Sequence, residues 1–242
     1  MRSVFVTGTD TGVGKTVLAA GLIAVARQQG ADAVPMKPVQ TGCRRSGERL
    51  VPPDLEFCLK YAGLIPSPEE TEWMCPNCFE PACSPHLAAS LTGRAISLEG
   101  LEASFLRLAG KHEAVVVEGA GGLLVPIGGG LTMLDVARAF RLPVLIAARP
   151  GLGTLNHTQL TLWALREAGL HIAGVVLVES QCAPWGLIEE DNFDMIRKTG
   201  GVPLVLRLPH VEGLAEGVLN PAAFHAAVEP HLSRVVEYLR SK

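Results

Sequence analysis

The sequence predicts a single α/β domain with a mostly parallel sheet and helices on both faces. Three observations carry that prediction. Short apolar runs alternate with helical patterns along the chain, the order that builds right-handed crossovers. Several of those runs, 114–117 and 143–147 among them, have no polar alternation, as strands buried on both faces require. No internal repeat, low-complexity tract or linker interrupts the order, so residues 1–242 read as one domain.

In chain order, residues 3–7 form a β-rich run and residues 16–29 a helical pattern with Gly30 as its stop. Residues 33–35 read as a second strand. Residues 44–53 are polar and turn-rich, and 55–62 read as helix. The Pro- and Cys-containing segment 67–85 reads as an irregular excursion. A helix is expected over 97–108 and strands over 114–117, 143–147, 174–178 and 204–206. Helices are expected near 134–140, 156–168 and 191–199. A last amphipathic helix spans 224–240, with a break or kink expected at Pro230.

Composition narrows the function. The chain is 48% apolar and 19% charged with a net charge of −3, an ordinary globular balance without the clustered basic surface that nucleic acid requires. No apolar run approaches the roughly 20 residues that span a bilayer. The N-terminus reads directly into a strand and lacks the layout of a signal peptide. A cytoplasmic location is expected, with the six cysteines as reduced thiols.

In parallel sheets of this kind ligands sit at the carboxyl ends of the strands. The loop after the first strand is Gly8-Thr9-Asp10-Thr11-Gly12-Val13-Gly14-Lys15-Thr16, and it opens the first helix. That context marks a phosphate-binding loop of the Walker A type, although Thr9 stands where the strict spacing has glycine. Glycines let backbone N–H groups converge on phosphate oxygens, and the helix N-terminus adds partial positive charge. Lys15 is placed to reach the β- and γ-phosphates and the Thr16 hydroxyl to ligate Mg2+. The fold expected is therefore P-loop NTPase-like, with a nucleoside triphosphate bound at this loop.

Glu118-Gly119-Ala120-Gly121-Gly122 leaves the buried run 114–117, which puts a carboxylate beside the phosphate loop, suited to a hard cation. Lys37 follows the second strand as a second cation near the γ-phosphate; an exposed lysine ahead of Pro38 is the alternative. Asp54, after two prolines, reads by itself as a helix N-cap. Cys75, Cys78 and Cys83 make a CxxC with a third thiol. Zinc or iron–sulfur ligation with His86 is one reading and three thiols in a substrate-side loop the favoured one. His112, His171, His210, His225 and His231 are scattered and carry no role.

GTDTGVGKT, KPVQTG at residues 37–42, Asp54, Ser84-Pro85-His86, VEGAGG at 117–122 and LGTLNH at 152–157 occur in this order. Together they resemble the dethiobiotin synthetase family. The resemblance implies a ligase of biotin biosynthesis that joins ATP, CO2 or bicarbonate and 7,8-diaminononanoate to give dethiobiotin, ADP and phosphate, through a carbamate and a carbamic-phosphoric anhydride. It implies Mg2+ and a homodimer with the substrate site at the interface. Residue by residue, Lys37 and Lys15 would be the catalytic cations. Gly12, Val13, Gly14, Lys15, Thr16, Val17, Asp54, Glu118, Gly119, Ala120 and Gly121 would bind nucleotide. Thr16, Asp54 and Glu118 would ligate the metal. Thr41, Gly153, Thr154, Leu155 and Asn156 would bind substrate, the last four from the neighbouring subunit. The chain departs from the family where Gly12 stands for a common Glu, and where Val178 and Glu179 stand for Asn and Asp. No base-reading role is carried over to Val178.

Three rival classes remain from the residues alone, one of them an electron-transfer ATPase built on the cysteine cluster. Septum-placement and chromosome-partitioning ATPases resemble KGGVGKT, but Asp10 stands where they carry a second lysine. The terminal helix mixes Glu229 and Glu237 with Arg234, Arg240 and Lys242, giving no basic face for a membrane. Cobalamin-pathway and other amide-forming P-loop ligases normally append a glutamine-cleaving domain, for which the chain has no room.

Overall fold

A computed structural model describes residues 1–214 and 217–241; Lys242 lies outside the described residues. The strands are β1 (Val4–Gly8), β2 (Ala33–Met36), β3 (Val39–Gln40), β4 (Arg44–Ser46), β5 (Arg49–Val51), β6 (Asn77–Cys78), β7 (Ala114–Glu118), β8 (Pro126–Gly128), β9 (Leu131–Thr132), β10 (Val144–Ala148), β11 (Ile172–Val178) and β12 (Val205–Leu208). The helices are α1 (Lys15–Gln28), α2 (Pro53–Ala62), α3 (Pro68–Met74), α4 (Pro85–Leu91), α5 (Leu98–Lys111), α6 (Met133–Phe140), α7 (Thr154–Glu167), α8 (Leu187–Thr199) and α9 (Pro221–Ser241).

Six strands form one parallel sheet in the order β12-β11-β10-β1-β7-β2. Successive residues of a strand point to opposite faces, and each face has its own core. Val4, Val6 and Val116 pack with Leu18 and Leu22 of α1 and Val228 and Leu232 of α9. Phe5, Val115 and Val117 pack with Leu101 of α5, Val136 of α6 and Leu165 of α7. Every residue of β1, β2, β7, β10 and β11 is buried, which is why these strands read as unbroken apolar runs.

Four local expectations are revised. The turn-rich segment 44–53 contains the hairpin β4–β5, closed over Gly47 and Glu48. It lies on the surface, where neither strand has an apolar face to reveal it. Asp54 is not a cap: Pro52 holds that position and Asp54 lies in the first turn of α2, leaving its carboxylate free for the site.

The segment 67–85 is partly regular. Ser67 and Glu70 form a reciprocal capping box that starts α3, with Ser67 Oγ accepting from Glu70 N at 3.2 Å and Glu70 Oε2 accepting from Ser67 N at 3.0 Å. Finally, α9 runs unbroken through Pro230. An interior proline costs about 3 kcal/mol or more. Phe224, Val228, Leu232, Val235, Val236 and Leu239 are all buried on one stripe. At roughly 1.5–3 kcal/mol for each buried side chain, their packing outweighs the defect.

Candidate active site

Two helices of this fold begin on a glycine in the left-handed region with no side-chain cap. The N-cap of α1 is Gly14 at φ 90° and that of α7 is Gly153 at φ 92°. At α1 the backbone N–H groups of the first turn then lack intrahelical partners and remain available to an anion, whereas at α7 Thr154 N donates to Gly151 O at 3.2 Å. At Gly14 the glycine is required twice. Its φ lies in the left-handed region, and a Cβ there would meet Val178 Cγ1 at 2.4 Å.

A cleft of about 860 Å3 opens at the carboxyl ends of β1, β2, β7 and β11. Thr11, Gly12, Val13, Gly14, Lys15, Thr16 and Val17 form its floor. Lys37, Gln40, Thr41, Asp54, Glu118, Ala120 and Gly121 form one side. Gly119 stands behind this wall, its carbonyl accepting from Lys37 Nζ at 3.4 Å. Twelve of the sequence-expected positions are thus brought together: Gly12, Val13, Gly14, Lys15, Thr16, Val17, Lys37, Thr41, Asp54, Glu118, Ala120 and Gly121. Gly153, Thr154, Leu155 and Asn156 do not line the cleft; they open α7 outside it, with Gly153 and Asn156 exposed and Thr154 buried.

At the centre lies a compact ionic group. Lys37 is buried, and its Nζ stands 2.6 Å from both Asp54 Oδ2 and Glu118 Oε1. The Thr16 hydroxyl donates to the same Glu118 oxygen at 2.9 Å. Burial alone would favour the neutral amine at Lys37, but Glu118 and Asp54 reverse that, and the ammonium is held above its ordinary range. Burial raises the Glu118 carboxyl, against the pull of Lys37. Two carboxylates and a hydroxyl make an all-oxygen donor set of the kind a hard divalent cation takes, so the residues fit Mg2+.

Lys15 differs. It has no carboxylate partner within ion-pair distance among the described residues, and its Nζ donates to the Asp10 carbonyl at 2.8 Å. Burial, followed by repulsion from Lys37, lowers its pKa to about 8.

Beside β11 the cleft wall is Val178, Glu179 and Ser180, followed by Pro209, His210 and Val211. Glu179 is engaged by Arg207, whose guanidinium lies over the Trp185 ring at 4.0 Å. Arg149 also lines the cleft, in an ion pair with Asp10. Sequence reading missed it because nothing in the loop after β10 marks one arginine as facing the phosphate loop. Strand register is the signal that places it.

The cysteine segment lies against the cleft. Gln40 pairs with Cys78 through β3 and β6, and Lys37 N donates to Met74 O at 2.7 Å. Cys78 Sγ donates to Cys75 Sγ at 3.2 Å, and all six cysteines are free thiols. Among the described residues no group of three or more His, Cys, Asp or Glu is arranged to hold a metal ion.

Comparison with known proteins agrees with this architecture. The family model of the AAA domain matches residues 2–217. The septum-site-determining protein MinD complexed with Mg-ADP from Pyrococcus horikoshii superposes with a TM-score of 0.58 at 15% identity, over 98% of this chain and 94% of that one. The MinC–MinD cell division complex of Aquifex aeolicus gives 0.59 at 12% identity, over 100% and 97%. These likenesses show a shared fold. Sequence relatives are much nearer. The ATP-dependent dethiobiotin synthetase BioD of Anaeromyxobacter sp. is 44% identical over 216 residues, 89% of this chain and 93% of that one. That of Bacillus licheniformis is 37% identical over 232 residues, 96% and 94%. With a P-loop cleft, a buried lysine between two carboxylates and this identity over nearly its full length, the chain belongs to the ATP-dependent dethiobiotin synthetase family.

Proposed function

We propose that this chain closes a ureido ring on 7,8-diaminononanoate, using ATP and CO2 to give dethiobiotin, ADP and phosphate. The observation that carries the reading is the placement of Lys37, buried and 2.6 Å from both Asp54 and Glu118 at the edge of the phosphate loop. The reaction needs an anion to approach a polyanion. One amine of the substrate captures CO2 as a carbamate and releases a proton. A carbamate oxygen then attacks the γ-phosphorus and ADP leaves. The second amine attacks the carbonyl carbon of the mixed anhydride, phosphate departs, and the ring closes.

At about 4 Å and an effective dielectric near 20, each pair of unit charges repels by roughly 4 kcal/mol. Lys15 and Lys37 supply fixed positive charge where that repulsion is greatest and where charge spreads over the transferring phosphoryl group. Lys37 is preorganised for this: its ammonium is tethered by two carboxylates rather than free to relax. The uncapped N-terminus of α1 presents backbone donors to the phosphates. Thr16, Asp54 and Glu118 would hold Mg2+, which when bound neutralises phosphate charge. Thr41, on the rim beside Gln40, would contact the substrate. Reaction without a covalent enzyme intermediate accords with the absence of a nucleophile-type motif around any cysteine or serine.

The protein acts as a homodimer in this reading. The start of α7, Gly153 to Asn156, lies outside its own cleft, and the partial positive charge of its N-terminus is suited to receive the substrate carboxylate of the partner's site. Leu152, Leu160 and Trp163 beside it are 86%, 55% and 61% exposed, a strip that a second copy would cover. Residues 1–242 act as one catalytic domain. Six free thiols favour the cytoplasm. Among the described residues no helix is long and apolar enough to cross a membrane. The test is a single assay. Purified protein receives diaminononanoate, bicarbonate, Mg2+ and ATP, and mass spectrometry follows the ureido product. Absence of that product together with unchanged ATP would refute the assignment.

A further inference from the structure

β1 and β10 run side by side with Gly8 opposite Ala147, and Thr9 N extends the ladder to Ala147 O at 3.0 Å. Two residues beyond that register pair stand Asp10 on one strand exit and Arg149 on the other. Their side chains meet, Arg149 Nη2 lying 2.7 Å from Asp10 Oδ2. The second Asp10 oxygen accepts from Thr11 N at 2.7 Å, and the Asp10 carbonyl accepts from Lys15 Nζ at 2.8 Å. Residue 10 is therefore the point at which Arg149, the turn of the phosphate loop and Lys15 converge.

The pair does little for the stability of the fold. Its side chains are 48% and 52% exposed, and solvent screening leaves an ion pair of that kind little net contribution. Its location gives it another use. Arg149 lines the cleft, and the chain then passes through Pro150 and Gly151 to Gly153, where α7 begins. That loop is fastened directly after Arg149 by the buried Asn192 of α8, which donates to Pro150 O at 2.9 Å and to Gly151 O at 3.3 Å. Arg149 is thus the near end of a braced segment, and Asp10 is what it grips.

We propose that Asp10 and Arg149 form a latch that preorganises the phosphate loop, which makes Arg149 a positioning residue for ATP. The proposal rests on the nucleotide reading of the cleft. Lys15 must leave the Asp10 carbonyl to reach a phosphate oxygen. While it does so, Arg149 keeps residue 10 in place, so the backbone donors of the loop do not have to be reordered on binding. Arg149 acts through Asp10 and not by touching the triphosphate.

The experiment is a double-mutant cycle on the full chain, with ATP binding measured by calorimetry in the absence of the second substrate. Arg149→Ala weakens ATP binding about fivefold in the wild-type background and less than about twofold in an Asp10→Ala background. Arg149→Lys, which keeps the cation, stays within about threefold of wild type. The melting temperature of the Arg149 variants does not change, as expected for an exposed pair. An equal loss in both backgrounds would show that Arg149 acts on the ligand itself and overturn the latch; no loss in either would overturn it too. Failure of the wild-type protein to bind ATP would remove the nucleotide reading and the latch together, whereas normal wild-type binding with an unaffected Arg149→Ala variant removes the latch alone.

Discussion

Lys37 and Glu118 are each one residue beyond a register pair. Met36 of β2 lies opposite Val117 of β7, so the next residue on each strand emerges at the same height and on the same side of the sheet. Their charged atoms meet at 2.6 Å although 81 residues separate them in sequence. The geometry of this buried ion pair is therefore a consequence of strand pairing.

Lys37→Ala should leave ATP binding within about tenfold of wild type while lowering kcat by roughly 100-fold to 1,000-fold, the usual effect of removing one electrostatic stabiliser. Calorimetry and single-turnover kinetics separate the two. Turnover at the wild-type rate would take Lys37 out of the reaction.

The ATP affinity should depend on the charge of Lys15. Burial lowers its pKa to about 8 in the free protein, and the protonated form is the one that attracts phosphate. Affinity is then level below about pH 8 and falls up to tenfold per pH unit above it, with a proton taken up on binding. Calorimetry in buffers of different ionisation enthalpy reads that proton directly. In Lys15→Ala binding is weak throughout and the pH dependence disappears.

Glu118→Gln keeps the shape of the side chain and removes its charge. The Mg2+ concentration for half-maximal turnover should rise by about tenfold or more, since a neutral amide is a poorer ligand for a hard cation. A titration of rate against Mg2+ checks this. An unaltered midpoint would argue that Glu118 serves only as the partner of Lys37.

Gly14→Ala faces both a left-handed φ of 90° and a contact of 2.4 Å with Val178 Cγ1. Strain of this kind costs about 1–3 kcal/mol. The variant should melt several degrees lower and lose most ATP binding. Trimming the neighbour with Val178→Ala should restore only part of either, because the backbone strain remains.

On α7, Trp163→Glu places a carboxylate in the proposed subunit contact. The variant should sediment as a single chain, and product formation should fall with dimer content. Wild-type protein that sediments as a monomer at assay concentration would remove the shared site.

The sequence by itself determined the layers of the fold and the floor of the site. A strand buried on both faces must be apolar throughout, so β1, β7, β10 and β11 announced themselves. A glycine-rich turn between a strand and a helix has few other uses, so Gly12 to Thr16 did as well. The tertiary structure decided what the charged residues do to one another. Asp54 looked like a cap and proved free to face Lys37; the pKa of Lys15 is lowered while Lys37 is held as an ammonium; Arg149 emerged only from the register of β1 against β10. None of this is encoded in local pattern, because the free energy of a charge depends on its burial and on partners that lie far along the chain.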